Sequence, residues 1–150
     1  MITSLSRIIA TFFGAGYFPL APGTLASLIV VLLYKFFLYH LSWPLHLLIF
    51  FIIFLIGTFT SARISSKWKV EDPQKVVIDE AAGQYLALFQ LSPSWLLLLL
   101  SFLLFRLFDV LKPFPIRRIE SFPKGWGIML DDFVAALYSG ILVYVYLILK

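Results

Sequence analysis

The run Leu45-His-Leu-Leu-Ile-Phe-Phe-Ile-Ile-Phe-Leu-Ile-Gly-Thr-Phe-Thr-Ser-Ala62 decides the fold class. It holds no Asp, Glu, Lys or Arg. As an α-helix at about 1.5 Å per residue it is roughly 27 Å long, close to the depth of a bilayer's hydrocarbon core. The rest of the chain has the same character. Of its 150 residues, 61% are apolar and 13% charged, against roughly 45–50% and 25% in soluble domains. Mean hydropathy is +0.97. A soluble domain of this size cannot bury so much apolar surface, so the bilayer is the solvent for most of the chain.

Upstream of that run, Thr24–His40 forms a second apolar stretch, joined to it by the short link Leu41-Ser-Trp-Pro44. The two are expected to pair as an antiparallel hairpin. Thr24 follows Pro22-Gly23 and is placed to cap its helix. Lys35 near the other end is expected to snorkel outward. Gly14-Ala-Gly16-Tyr-Phe-Pro19-Leu-Ala-Pro22-Gly23 breaks any earlier helix. Residues 3–13 carry only Arg7 inside an apolar stretch, which predicts an interfacial helix rather than a signal peptide.

Downstream, Arg63 to Lys75 reads as a polar loop holding Arg63, Lys67, Lys69, Glu71, Asp72 and Lys75. Asp79–Leu91 is too short to span. Ser92-Pro93 turns the chain, and Ser94–Leu111 returns it. Lys124-Gly125-Trp126-Gly127 predicts a flexible loop before the last span, Asp131–Leu149. The expected architecture is all-α: one membrane-embedded domain over residues 1–150, with three full spans, a re-entrant helical hairpin and a short N-terminal interfacial helix.

Charge sets the orientation. With that hairpin, Arg7, Arg63, Lys67, Lys69, Lys75, Arg106, Lys112, Arg117, Arg118 and Lys124 share one face, leaving only Lys35 and Lys150 of the 12 basic residues elsewhere. The positive-inside rule makes the crowded face cytoplasmic. All 8 acidic residues fall on the same face. The net charge of +4 is dispersed over loops and carries no nucleic-acid signal. The absence of Cys removes disulfides, thiolate metal sites and a cysteine nucleophile.

The acids gather at expected helix ends: Asp79-Glu80, Asp109 and Asp131-Asp132. Helix N-termini favour negative charge, so capping is one reading. Adjacent pairs beside Arg and Lys also read as a divalent-cation site with oxygen ligands suited to Mg²⁺. A proton or ion path is a third. In Arg106-Leu-Phe-Asp109-Val-Leu-Lys112-Pro113, Arg106 and Asp109 share a helical face, while Pro113 pushes Lys112 out of the helix. Lys112 is then either a surface cation or a phosphate-binding one. Gly83 reads as a packing position. His40 and His46 flank the short turn at the opposite end from the acids, which argues against a histidine nucleophile or base. Asp-x-Asp, Walker A and Gly-x-Ser-x-Gly sequences do not occur.

Phe105-Arg106-Leu-Phe108-Asp109-Val-Leu-Lys112-Pro113-Phe-Pro115-Ile116, then Gly127-Ile-Met129-Leu-Asp131-Asp132, is similar to the phosphatidylglycerophosphatase A family of bacterial inner-membrane lipid phosphatases. Asp79-Glu80-Ala-Ala-Gly83 and Gly14-Ala-Gly16 through Ser27 match in order, with Ala26 and Lys124 standing where the pattern has glycine. The resemblance implies a multi-pass protein of the bacterial inner membrane with its active site facing the cytoplasm, built as a bundle around a central helix. It implies Mg²⁺-dependent hydrolysis of the terminal phosphate of phosphatidylglycerophosphate. On it, Asp79, Glu80, Asp131 and Asp132 are expected to hold the metal, with Asp109 close by. Arg106 and Lys112 would hold the phosphate, helped by Thr24 and Ser27. Water is favoured over a carboxylate as nucleophile; Glu120 with Arg117 and Arg118 is read as ordering its loop, with a direct place at the metal as the alternative. The competing readings are a small transporter or proton channel, which needs acids at mid-span depth, and a non-catalytic assembly subunit, which needs no paired carboxylates.

Overall fold

The computed structural model describes residues 2–70 and 72–150, with Ile2 and Thr3 by backbone alone; Met1 and the predicted loop acid Glu71 lie outside the described residues. All regular structure among them is helical: α1 (Ile2–Ala10), α2 (Pro22–Leu33), α3 (Trp43–Trp68), α4 (Ile78–Ala87), α5 (Trp95–Leu111), α6 (Ile116–Ile119) and α7 (Gly125–Leu149). A π-helical turn, Tyr34–Leu38, extends α2.

Helix α4 is the axis of the bundle. It packs against α2, α3, α5 and α7, and nearly all of it is buried. Its sequence permits this because Ala81, Ala82, Gly83 and Ala87 keep its girth small. A Cβ on Gly83 would stand 2.7 Å from the Phe105 ring and 3.1 Å from the Asp132 carbonyl, so that glycine is the packing position expected. Hydroxyls tie the helices together in the absence of competing water. Ser101 Oγ donates to the Ala87 carbonyl and Ser139 Oγ to the Ser101 carbonyl, each at 3.0 Å.

The exterior of the molecule is far more apolar than that of a soluble protein. Phe51, Leu55 and Phe59 on α3, Leu99, Leu103 and Leu107 on α5, and Ile141, Val145 and Ile148 on α7 are exposed, while Asp79, Gln84, Asp131 and Asp132 are buried. An apolar exterior of this extent belongs against lipid. Two helices, Trp43–Trp68 and Gly125–Leu149, are long and apolar enough to cross a membrane.

Several expected boundaries move. Helix α3 continues through Arg63 and Lys67 to Trp68, so the polar loop starts only at Lys69, where the backbone turns left-handed with φ 57°. Leaving the hydrocarbon does not end a helix that meets no breaker. Helix α7 begins at Gly125, so Lys124-Gly125-Trp126-Gly127 is no flexible loop before the span. Asp131-Asp132 therefore lies about two turns inside the helix rather than at its start. Thr24 is not a cap, because the N-cap of α2 is Ala21 with Pro22 following. Lys35 donates to the Pro93 carbonyl at 2.7 Å and lies over the Trp95 ring at 4.3 Å; it fastens the α4–α5 turn instead of snorkelling outward.

Candidate active site

Five segments converge on one polar cavity of about 320 Å³. The first turn of α2 contributes Thr24, the loop before α4 Asp72 and Gln74, the first turn of α4 Asp79 and Glu80, the end of α5 Arg106 and Asp109 with Lys112 just beyond, and α7 Asp131. Asp132 stands behind these walls. One carboxylate oxygen from each of Asp79, Glu80 and Asp132 lies within 4.8 Å of the other two. Gly23 makes room for this: a Cβ there would collide with the Glu80 carboxylate. Glycine here leaves the Glu80 carboxylate in its place where α2 passes α4; a larger residue would displace it.

Asp79 Oδ1, Glu80 Oε2 and Asp132 Oδ2 are buried with no hydrogen-bond donor in the structure. Three carboxylates this close repel one another, and a cation among them would offset that repulsion. Their donor set is all oxygen and hard, which fits Mg²⁺. Of the four carboxylates expected around a metal, the structure gathers Asp79, Glu80 and Asp132. Asp131 turns elsewhere, its Oδ2 lying 2.8 Å from Lys112 Nζ and its Oδ1 accepting the Asp132 backbone N–H at 2.9 Å.

Two cations border the cluster. Arg106 Nη1 is 2.6 Å from Asp109 Oδ2, the i, i+3 pair expected on α5, and 3.9 Å from Glu80 Oε1. Lys112 leaves the helix, as Pro113 favours, and does so in left-handed backbone, φ 44°, a common way to end a helix. Its Nζ reaches Glu120 Oε1 at 2.8 Å as well as Asp131. Burial alone would lower the Lys112 ammonium, but these two carboxylates outweigh it and hold it above the usual lysine range.

Thr24 lines the cavity as expected. Ser27 does not: it is fully buried one turn further into α2, its Oγ without a partner. Two residues join that sequence reasoning did not assign to the site. Glu120 pairs with Lys112, and Asp72 lines this cavity and both neighbouring ones. Desolvation raises the Asp72 carboxyl above its ordinary range; Lys112 opposes the shift, and Glu120 and Asp109 add to it. No periodicity marks a loop carboxylate, so only the folded position of Asp72, beside Gln74 and Lys112, reveals it. His46 lies at the far end of the bundle, buried, with Nδ1 2.7 Å from the Tyr85 hydroxyl.

A buried cation flanked by Arg106 and Lys112 would neutralise phosphoryl oxygens from several sides, which is what phosphate-ester hydrolysis requires. The family model for phosphatidylglycerophosphatase A matches residues 8–147. A Haemophilus influenzae protein named phosphatidylglycerophosphatase A is 38% identical over 140 residues, covering 92% of this chain and 86% of its own length. The Escherichia coli protein of the same name is 33% identical over 140 residues, covering 92% and 81%. A Bacteroides thetaiotaomicron protein provisionally named a phosphatidylinositol-3-phosphatase is 37% identical over 149 residues, covering 94% and 92%. No solved structure matches the chain.

Proposed function

The chain belongs to the phosphatidylglycerophosphatase A family, and from that premise we propose that it hydrolyses the terminal phosphate monoester of phosphatidylglycerophosphate, with Mg²⁺, at the cytoplasmic face of a bacterial inner membrane. The observation that carries the reading is the set of orphaned carboxylate oxygens of Asp79, Glu80 and Asp132, walled by Arg106 and Lys112. Asp79, Glu80 and Asp132 would hold Mg²⁺, which supplies Lewis-acid stabilisation of phosphoryl charge and lowers the pKa of water. Asp131 keeps Lys112 aimed at the cavity. Arg106, tethered by Asp109, offers its remaining N–H groups to phosphate oxygens. Thr24 adds a hydroxyl to the cavity lining. With both His residues remote or exposed and no Cys, water is the favoured nucleophile.

For the membrane arrangement we favour three full spans, α2 with its π-turn, α3 and α7, and a re-entrant α4–α5 hairpin. Its support is that α4 begins and α5 ends at the same cavity, joined by Arg106 and Glu80. The α4–α5 turn meets the end of α2, where the Tyr34 hydroxyl donates to the Leu91 carbonyl at 2.7 Å. A transporter or proton channel would string carboxylates through the thickness; here they surround one cavity.

Phosphate release by the purified protein in detergent, with and without Mg²⁺, tests the assignment. Phosphatidylglycerophosphate should turn over faster than phosphatidylinositol 3-phosphate. Faster release from the inositol lipid would transfer the substrate assignment to that headgroup; release from neither would end the phosphatase reading.

A further inference from the structure

Beside the acidic cavity lies a wider groove of about 900 Å³. Three cations from three separate segments line it: Arg7 of α1, Lys67 of α3 and Lys75 of the loop before α4. All three are exposed. Among the described residues none of them has an ion-pair partner, in contrast to Arg106 and Lys112. Tyr17 and Trp68 form the aromatic wall, with Lys75 Nζ 5.2 Å from the Tyr17 ring centroid. Asp72 and Gln74 line both this groove and the acidic cavity, so the two compartments share a partition.

We propose that this groove binds the phosphodiester of the lipid headgroup, so that one substrate molecule is held by both of its phosphates across the Asp72–Gln74 partition. The inference rests on the phosphatase reading above. It follows from the chemistry of the substrate, which carries a monoester and a diester phosphate separated by a short polyol. The monoester belongs with the cation-binding carboxylates. The diester is an anion disfavoured among the clustered carboxylates, and the adjoining groove gathers Arg7, Lys67 and Lys75 with a single carboxylate, Asp72, on the shared partition. Gln74, between the two, offers an amide donor and acceptor to polyol hydroxyls. The surroundings suit a lipid. Leu5 and Ile8 of α1 and Phe13 beyond it are exposed apolar residues, and Tyr and Trp favour the headgroup level of a bilayer. Acyl chains can therefore descend past α1 while the headgroup remains over the partition.

The test uses two probes in uncharged detergent micelles. Phosphatidylglycerol carries the diester without the monoester; inorganic phosphate reports on the acidic cavity. In the triple variant Arg7→Gln, Lys67→Gln, Lys75→Gln, phosphatidylglycerol binding should weaken by about tenfold or more, the scale of at least one charge-assisted hydrogen bond. KM for phosphatidylglycerophosphate should rise in parallel with kcat changed by less than about twofold, and inhibition by inorganic phosphate should be unaltered. A control triple of equal charge, Arg63→Gln, Lys69→Asn, Lys150→Gln, should bind as wild type. Wild-type binding by the groove variant would overturn the proposal. So would equal weakening in both triples, which would assign the effect to overall surface charge, or weakened phosphate inhibition, which would make the groove a free-phosphate site. If the wild type binds phosphatidylglycerol through the groove yet releases no phosphate from phosphatidylglycerophosphate, the diester site stands and the catalytic reading falls.

Discussion

Lys112 Nζ lies 2.8 Å from Asp131 Oδ2, bridging the end of α5 to the second turn of α7 across 19 positions of sequence. The pair binds two helices and also sets the cation that faces the candidate phosphate position. On the proposed function Lys112 would have a structural and a chemical role at once.

Replacing Lys112 by Ala should lower kcat/KM by on the order of 10²-fold, and should also cost about 2–3 kcal/mol of stability, because buried Asp131 loses its counter-charge. The double variant Lys112→Ala, Asp131→Asn should recover most of the stability and none of the activity. Thermal unfolding and kinetics on the single and double variants separate the two roles; full recovery of activity in the double variant would make the lysine purely structural.

Asp79→Asn and Asp132→Asn should each abolish Mg²⁺-supported turnover. In the metal-free protein both should unfold at or above the wild-type temperature, since each relieves repulsion in a buried carboxylate cluster. Added Mg²⁺ should raise the wild-type Tm and leave that of the variants nearly unchanged. A variant with ordinary Mg²⁺ stabilisation would remove its residue from the cation site.

Asp72 has a carboxyl raised above its unfolded value. A raised acid favours the fold while protonated, so its contribution is most favourable at low pH and declines as pH climbs through the folded pKa. Because Asp72 is exposed, Asp72→Asn should be only slightly more stable than wild type near neutrality, with the difference shrinking toward pH 4. Denaturant melts at a series of pH values measure this, and a gap that widens on acidification would reverse the sign assigned here.

Cysteines introduced at Lys69 and Lys124 should be labelled from the same side of the membrane, with one at His40 labelled from the other. In the proposed arrangement the α4–α5 hairpin returns the chain to its starting face, which would put positions 69 and 124 on one side. Opposite-side labelling of 69 and 124 would require α4 and α5 to contribute an odd number of crossings.

His46→Ala should cost about 2–4 kcal/mol of stability with kcat retained, because the imidazole is buried against Tyr85, Tyr34 and Phe89 and its loss leaves a cavity and an unpartnered hydroxyl. Exposed His40 replaced by Ala should be silent in both measurements. A kcat loss at either position would move chemistry to the far end of the bundle.

The sequence by itself determined the solvent and the class. Apolar runs such as Leu45–Ala62 and the clustering of basic residues are local properties, and local properties survive any packing arrangement. The same holds for the end of α5 at Lys112, since Pro113 disfavours helical backbone at the preceding position, and for the Arg106–Asp109 pair, which a single helix sets. Tertiary structure alone decided which acids meet. Asp131 and Asp132 are neighbours in sequence, yet two turns inside α7 their side chains diverge, one to Lys112 and one to Asp79 and Glu80. Asp72 and Glu120 join them from loops whose path depends on where α3, α4 and α7 pack. Arg7, Lys67 and Lys75 line one groove for the same reason: distances among residues remote in sequence are fixed by helix packing, and no pattern along the chain encodes them.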